Sequence, residues 1–154
     1  MGGLPVLIEI RPATDLAVVR ELFREYQVAA NAPVCFTTFD DELAGLPAPY
    51  AAIFVAWVDG EAAGCVALKP LGSLIGEVKR LYVRASFRQS GLAQSLMAAA
   101  AQSSRELGWV TLRLDTLPSM TAAIALYRRL GFLPVARYND NPDPSAHFFE
   151  LNLT

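Results

Sequence analysis

The residues Arg88-Gln89-Ser90-Gly91-Leu92-Ala93 stand between an apolar, strand-like run and the start of a long amphipathic segment. Backbone N–H groups at a helix start have no intrahelical partner, and with the positive end of the helix dipole they form a cradle for phosphate oxygens. Gly91 and Ala93 keep side-chain bulk away from that backbone, and Arg88 adds a guanidinium for a charge-assisted hydrogen bond. Arg and Gly before a helix also serve turning and solvation, so the hexapeptide takes its meaning from the elements around it. Neither Gly-x-x-x-x-Gly-Lys-Ser/Thr nor Gly-x-Gly-x-x-Gly after the first strand is present, which excludes those ATP- and NAD-type cradles. Cys35 and Cys65 lack the CxxC spacing of a redox or metal site. His147, the one histidine, has no acidic or cysteine neighbours at ligand spacing, so no metal site is expected. A Cys35–His147 nucleophile and base would have no oxyanion nest and is set aside.

A scaffold must hold these residues. Val6 to Ile10 reads as a strand, and Pro12 with Thr14 and Asp15 supplies turn and N-cap chemistry before a helix whose apolar residues Leu16, Val19, Leu22, Phe23 and Tyr26 recur at three- and four-residue steps. Asp40-Asp41-Glu42 opens a short second helix that Gly45 and Pro47 close. From Ala51 to Leu68 two apolar runs flank Asp59-Gly60, the signature of a tight hairpin. Glu77 to Val83 follows as a strand, then a helix between Gln89 and Leu107, a strand from Trp109 to Leu114, and a helix from Ala122 to Leu130. Thr116 or Ser119 is expected to cap that last helix, with Pro118 in its first turn. Phe132 to Tyr138 and His147 to Leu153 complete the sheet, joined by the turn-rich residues 139–144. Hairpins mixed with helical crossovers imply an α+β fold, a sheet flanked by helices rather than a doubly wound parallel sheet.

The 154 residues are 53% hydrophobic with a net charge of −2, enough for one domain with a real core, spanning 1–154. No block of Lys and Arg suits nucleic acid, and no apolar run reaches the length of a membrane span. The opening Met1-Gly2-Gly3-Leu4-Pro5 has neither a basic lead nor a cleavage site, so a cytoplasmic location is expected.

Taken in order, the strand Glu77-Val78-Lys79-Arg80-Leu81-Tyr82-Val83, the Arg88 loop, its helix, and Leu126-Tyr127-Arg128-Arg129-Leu130-Gly131-Phe132 resemble the GCN5-related N-acetyltransferase (GNAT) superfamily. The likeness is most specific from Gly76 to Phe132, where Arg88, Gly91 and Ala93 meet the pattern Arg/Gln-x-x-Gly-x-Gly/Ala. It implies a GNAT-like mixed, mostly antiparallel sheet of six to seven strands with a splayed central pair, flanked by about four helices. It further implies that acetyl-CoA is the co-substrate. Arg88, Gln89, Ser90, Gly91, Leu92 and Ala93 would hold its pyrophosphate, and the backbone of Leu81, Tyr82 and Val83 its pantetheine arm. Tyr127 would contact the cofactor and protonate the leaving thiolate. Glu77, fourteen residues before Gly91, matches the general-base glutamate of the histone-acetylating branch.

The reaction so implied is direct transfer to an amine, without a covalent enzyme intermediate. Asp40, Asp41, Glu42, Asp140 and Asp143 favour a cationic acceptor, and a small-molecule amine leads, with a peptide or protein amine as the alternative. An idle acyl-CoA-binding sensor acting through a partner is a further alternative, although the presence of both Tyr127 and Glu77 argues for catalysis. Superfamily members also form homodimers, and the sequence locates no interface.

Overall fold

The computed structural model describes residues 6–30 and 39–154, so Cys35 and the start of the Phe36 to Pro49 segment lie outside the described residues. In chain order the elements are β1 (Ile8–Pro12), α1 (Leu16–Ala30), α2 (Phe39–Gly45), β2 (Ala52–Val58), β3 (Glu61–Gly72) and β4 (Ile75–Val83). A 3-10 turn (Ala85–Phe87), α3 (Leu92–Glu106), β5 (Thr111–Thr116), α4 (Thr121–Arg129), β6 (Leu133–Pro134) and β7 (His147–Asn152) follow. The strands form one sheet ordered β1-β2-β3-β4-β5-β7-β6. Every neighbouring pair is antiparallel except β4 and β5. No helix among the described residues is long and apolar enough to cross a membrane.

Local chemistry explains most of these elements. The Asp15 carboxylate accepts from the Ala17 N–H at 2.9 Å, closing the N-terminus of α1, which buries Val19, Leu22 and Phe23 against the sheet. The β2–β3 hairpin turns on Asp59 and Gly60, both at positive φ. The next turn is less legible: Gly72, Ser73 and Leu74 all adopt positive φ, so β3 runs on past Leu68 and meets β4 in a second hairpin.

Two apolar layers sandwich the sheet. Leu68, Val78, Leu96, Leu112, Leu126 and Phe149 pack with α3 and α4 on one face, and Val19, Phe23, Leu43, Val55 and Ala67 with α1 and α2 on the other. Within β4 one residue reverses the alternation between these faces. Cys65 and Ala67 of β3 stand opposite Tyr82 and Lys79, so β4 carries one residue more than its partner over that stretch. Arg80, at φ 59°, is the strained residue within it. Val78 points to the α3/α4 layer before the bulge, and Leu81 and Val83 point there after it.

Three sequence expectations need correction. The first strand lies at Ile8–Pro12, two residues later than Val6 to Ile10. Of the strand expected from Phe132 to Tyr138, only Leu133 and Pro134 pair with β7, because Pro134 has no N–H to donate and the chain leaves the edge after one further bond from Val135 to Phe148. Neither Thr116 nor Ser119 caps α4; its N-cap is Met120, which makes no side-chain capping bond.

Among the described glycines the closest approach lies at Gly76, where an added Cβ would sit 2.0 Å from ring atoms of Trp109. Gly76→Ala is expected to cost about 1–3 kcal/mol by overpacking and to change the Trp109 fluorescence. Urea unfolding would check this, and an unchanged midpoint would show that the indole moves aside freely.

Candidate active site

β4 and β5 pair only over Ile75–Glu77 and Thr111–Arg113. Beyond Glu77 the two strands diverge, leaving an interior strand with one edge open. The Arg84 N–H reaches the Ala63 carbonyl of β3 at 2.8 Å, so strand alternation turns the backbone groups of Val83 and Leu81 toward the opening. The Val83 carbonyl there accepts from Arg88 Nε at 3.0 Å.

The loop before α3 stands at the end of this opening. Gly91 is the N-cap of α3 at φ 80°, and no side chain caps the helix, which leaves its first N–H groups directed outward. An added Cβ at Gly91 would meet nothing within 4 Å, so the left-handed φ itself demands the glycine and the space before it stays clear. Gln89 also has positive φ, and Ser90 Oγ donates to the Phe87 carbonyl. Leu92 is buried in the core, which leaves only its backbone for a ligand, while Ala93 is half-buried beside it. Arg88 does not reach over the helix end; it folds back on β4, its guanidinium 6.0 Å from the centre of the Tyr82 ring. Tyr82 Oη in turn donates to Glu25 of α1 at 3.2 Å.

Tyr127 of α4 is buried, its ring 5.8 Å from that of Phe132 and 6.4 Å from that of Phe149. Burial, with lesser contributions from Tyr26 and Asp115, pushes its phenol well above the ordinary value, so the hydroxyl carries its proton.

On the α1/α2 side of the divergence lies a cavity of ≈ 290 Å³ whose floor is a charged cluster. Glu77 is only 2% exposed, although a strand start ordinarily leaves a carboxylate solvated. Lys79 Nζ lies 3.3 Å from Glu77 Oε2 and 3.0 Å from Asp115 Oδ1. Asn139 Nδ2 donates to both carboxylates, at 3.0 Å to Glu77 and 2.8 Å to Asp115, and Asn141 donates to Asp115 at 3.1 Å. Tyr138 Oη donates to Glu77; burial and then the Glu77 charge push this phenol far up, which keeps it a donor. Burial works against the ionised form of Asp115, but Lys79 and the two asparagines outweigh it and hold its carboxyl below the usual range. Beside this cluster, Arg80 gives Nε to Glu42 of α2 at 3.0 Å, and Tyr50 donates to the same carboxylate at 2.7 Å.

These contacts revise the expected acidic surface. Glu42 is committed to Arg80 and Tyr50, Asp40 to Arg24, and Asp143 to the turn at Ser145, which leaves Asp140 as the loop acid lining the cavity. The sequence assigns no individual catalytic or binding role to Lys79, Asp115, Tyr138, Asn139 or Asn141. Lys79 was findable, since it shares a strand face with Glu77 two residues away. The loop residues had no such mark, because Asn in a turn-rich segment reads as turn chemistry.

The sequence matches the acetyltransferase (GNAT) family over residues 16–132. The chain belongs to this family. An uncharacterised N-acetyltransferase of Schizosaccharomyces pombe is 34% identical over 146 residues, covering 91% of this chain and 90% of the relative. A Klebsiella pneumoniae structure assigned as an acyl-CoA N-acyltransferase superposes with a TM-score of 0.76 at 28% identity, covering 96% of this chain and 99% of the other. The PaiA N-acetyltransferase of Thermoplasma acidophilum, solved with coenzyme A, shares the fold at a TM-score of 0.77 and 19% identity, over 95% and 99% of the two chains. This GNAT member is accordingly an acyltransferase, and its seven-stranded, mostly antiparallel sheet with one parallel pair is the fold the sequence implied.

The Asp115 contacts have a pH signature. Its folded pKa lies below the unfolded value of about 3.9, so its stabilisation is present above that pH and fades as pH falls through the lower folded value. Asp115→Asn is expected to lose about 1–2 kcal/mol near neutral pH and to approach the parent as pH falls from about 4 through the lower folded value. Urea titrations at neutral and acid pH check this; an equal deficit at both would remove the charge as its source.

Proposed function

We propose that this GNAT enzyme transfers an acetyl group from acetyl-CoA directly to the primary amine of a small molecule. The carrying observation is the divergence of β4 from β5, which opens on one side to the α3 N-terminus and on the other to the cavity over Glu77. The residues present fit acetyl-CoA: outward N–H groups behind Gly91 suit a pyrophosphate, and the open backbone at Leu81 and Val83 suits the amides of a pantetheine arm. Tyr82, whose backbone faces β3, would lie between those two contacts without adding its own N–H, and Gln89, Ser90, Leu92 and Ala93 would give their backbone to the phosphate cradle. The coenzyme A bound by the Thermoplasma protein of the same fold supports this assignment.

When bound, acetyl-CoA supplies an activated acyl thioester. The chain's own groups then divide the proton transfers. Glu77, in the cavity wall, takes a proton from the acceptor ammonium, directly or through water, since a protonated amine has no lone pair with which to attack. Tyr127 gives its proton to the departing sulfur. An N–H of the open β4 edge polarises the carbonyl. Holding both reactants in one cleft removes a bimolecular cost that can reach about 7–11 kcal/mol. The cavity volume of ≈ 290 Å³ favours a small acceptor over a polypeptide.

Calorimetric titration should show saturable acetyl-CoA binding that weakens about tenfold in Arg88→Ala, because the guanidinium would turn from the Val83 carbonyl to a charge-assisted contact with the pyrophosphate. A well-folded protein that binds none would sink the proposal. Tyr127→Phe is expected to lower kcat by about 10² while leaving the acetyl-CoA Kd in place. Glu77→Gln is expected to lower kcat/KM by about 10²; an unaltered kcat/KM would remove it from that role.

A further inference from the structure

Of the 13 basic side chains, two are lysines, Lys69 and Lys79, and both line the cavity over Glu77. They are placed differently. Lys79 is committed to Glu77 and Asp115, as Arg80 is to Glu42. Lys69 stands directly across from Glu77 in the β3–β4 register, so the two side chains share a sheet face. Opposite charges so placed ordinarily pair, yet among the described residues Lys69 makes no ion pair or hydrogen bond, and Glu77 turns Oε2 to Lys79, Tyr138 and Asn139 instead. The cavity wall therefore presents a half-buried, uncommitted ammonium beside a cluster in which Glu77 and Asp115 outnumber Lys79 by one negative charge.

We infer that the acceptor is a small amino carboxylate, bound with its ammonium toward Glu77 and its carboxylate on Lys69. This inference rests on the acetyl-transfer reading and gives that reaction its substrate class. A molecule with charges of both signs is the complement of the Lys69–Glu77 pair: its amine meets the excess negative charge where the proton must leave, and its carboxylate meets the free cation. An alkylamine of the same size would set apolar chain against the Lys69 ammonium, which loses water on that side without gaining a partner. A carboxylate there gains a charge-assisted hydrogen bond in a partly dry site, stronger than its neutral equivalent. The cavity of ≈ 290 Å³, at the small end of ligand pockets, has room for an amino acid.

The test measures kcat/KM with acetyl-CoA for α- and ω-amino acids, each paired with its carboxamide at equal free-amine concentration, alongside simple alkylamines. The wild type, Lys69→Gln and Lys69→Arg are compared, with circular dichroism to establish folding. The expected result is a preference of about tenfold or more for the carboxylate of a pair, a ratio that collapses toward one in Lys69→Gln and is largely restored in Lys69→Arg. Turnover of carboxamides, alkylamines or peptides as good as that of amino acids, with a ratio indifferent to Lys69→Gln, overturns the substrate class and leaves acetyl transfer standing. Failure to acetylate any amine by protein that binds acetyl-CoA overturns both.

Discussion

An interior strand with an unpaired edge is costly, since every backbone N–H and C=O withdrawn from water needs a partner. β4 is such a strand. Its pairing with β5 ends at Glu77 and Arg113, and the rest of the protein is arranged around the consequence. Arg88 meets the Val83 carbonyl from the loop side. The bulge at Arg80 lets Leu81 and Val83 pack against the α3/α4 layer while Lys79 and Arg80 both line the cavity on the opposite face. A continuous β4–β5 ladder would satisfy the backbone internally and close the cleft.

The two faces of the sheet solve different problems at this divergence. The α3/α4 face is almost wholly apolar, and its contribution is shape: Leu96, Leu112, Leu126 and Phe149 hold α3 and α4 so that the α3 N-terminus meets the end of the opening. The α1/α2 face is apolar only away from the cleft and becomes a network of partly buried ions near it. There Lys79 joins Glu77 to Asp115, Glu42 joins Arg80 to Tyr50, and Glu25 joins Arg84 to Tyr82. Such networks add little net stability, because desolvation offsets much of the attraction, but an incomplete one is strongly destabilising. Their effect is to fix geometry. Asn139 and Asn141 hold the loop after β6 against Asp115, and the cavity keeps a defined wall without any regular secondary structure there.

The sequence by itself determined the family, the order of elements and the glycine-led start of α3, because each is written in local patterns. Helical and strand periodicities depend on neighbours within a few residues, Asp59-Gly60 makes its own turn, and Gly91 before an amphipathic segment marks a helix start whichever way the chain packs. Glu77 and Tyr127 were named through resemblance, and nothing local in β4 or α4 sets either residue apart. Only the tertiary structure decided that Glu77 is buried, that Arg80 is a bulge, and that Tyr138, Asn139 and Lys79 converge on one carboxylate. Those contacts join residues up to 62 positions apart. Their energies come from shared desolvation and charge, which depend on distance in space and leave no period in the chain.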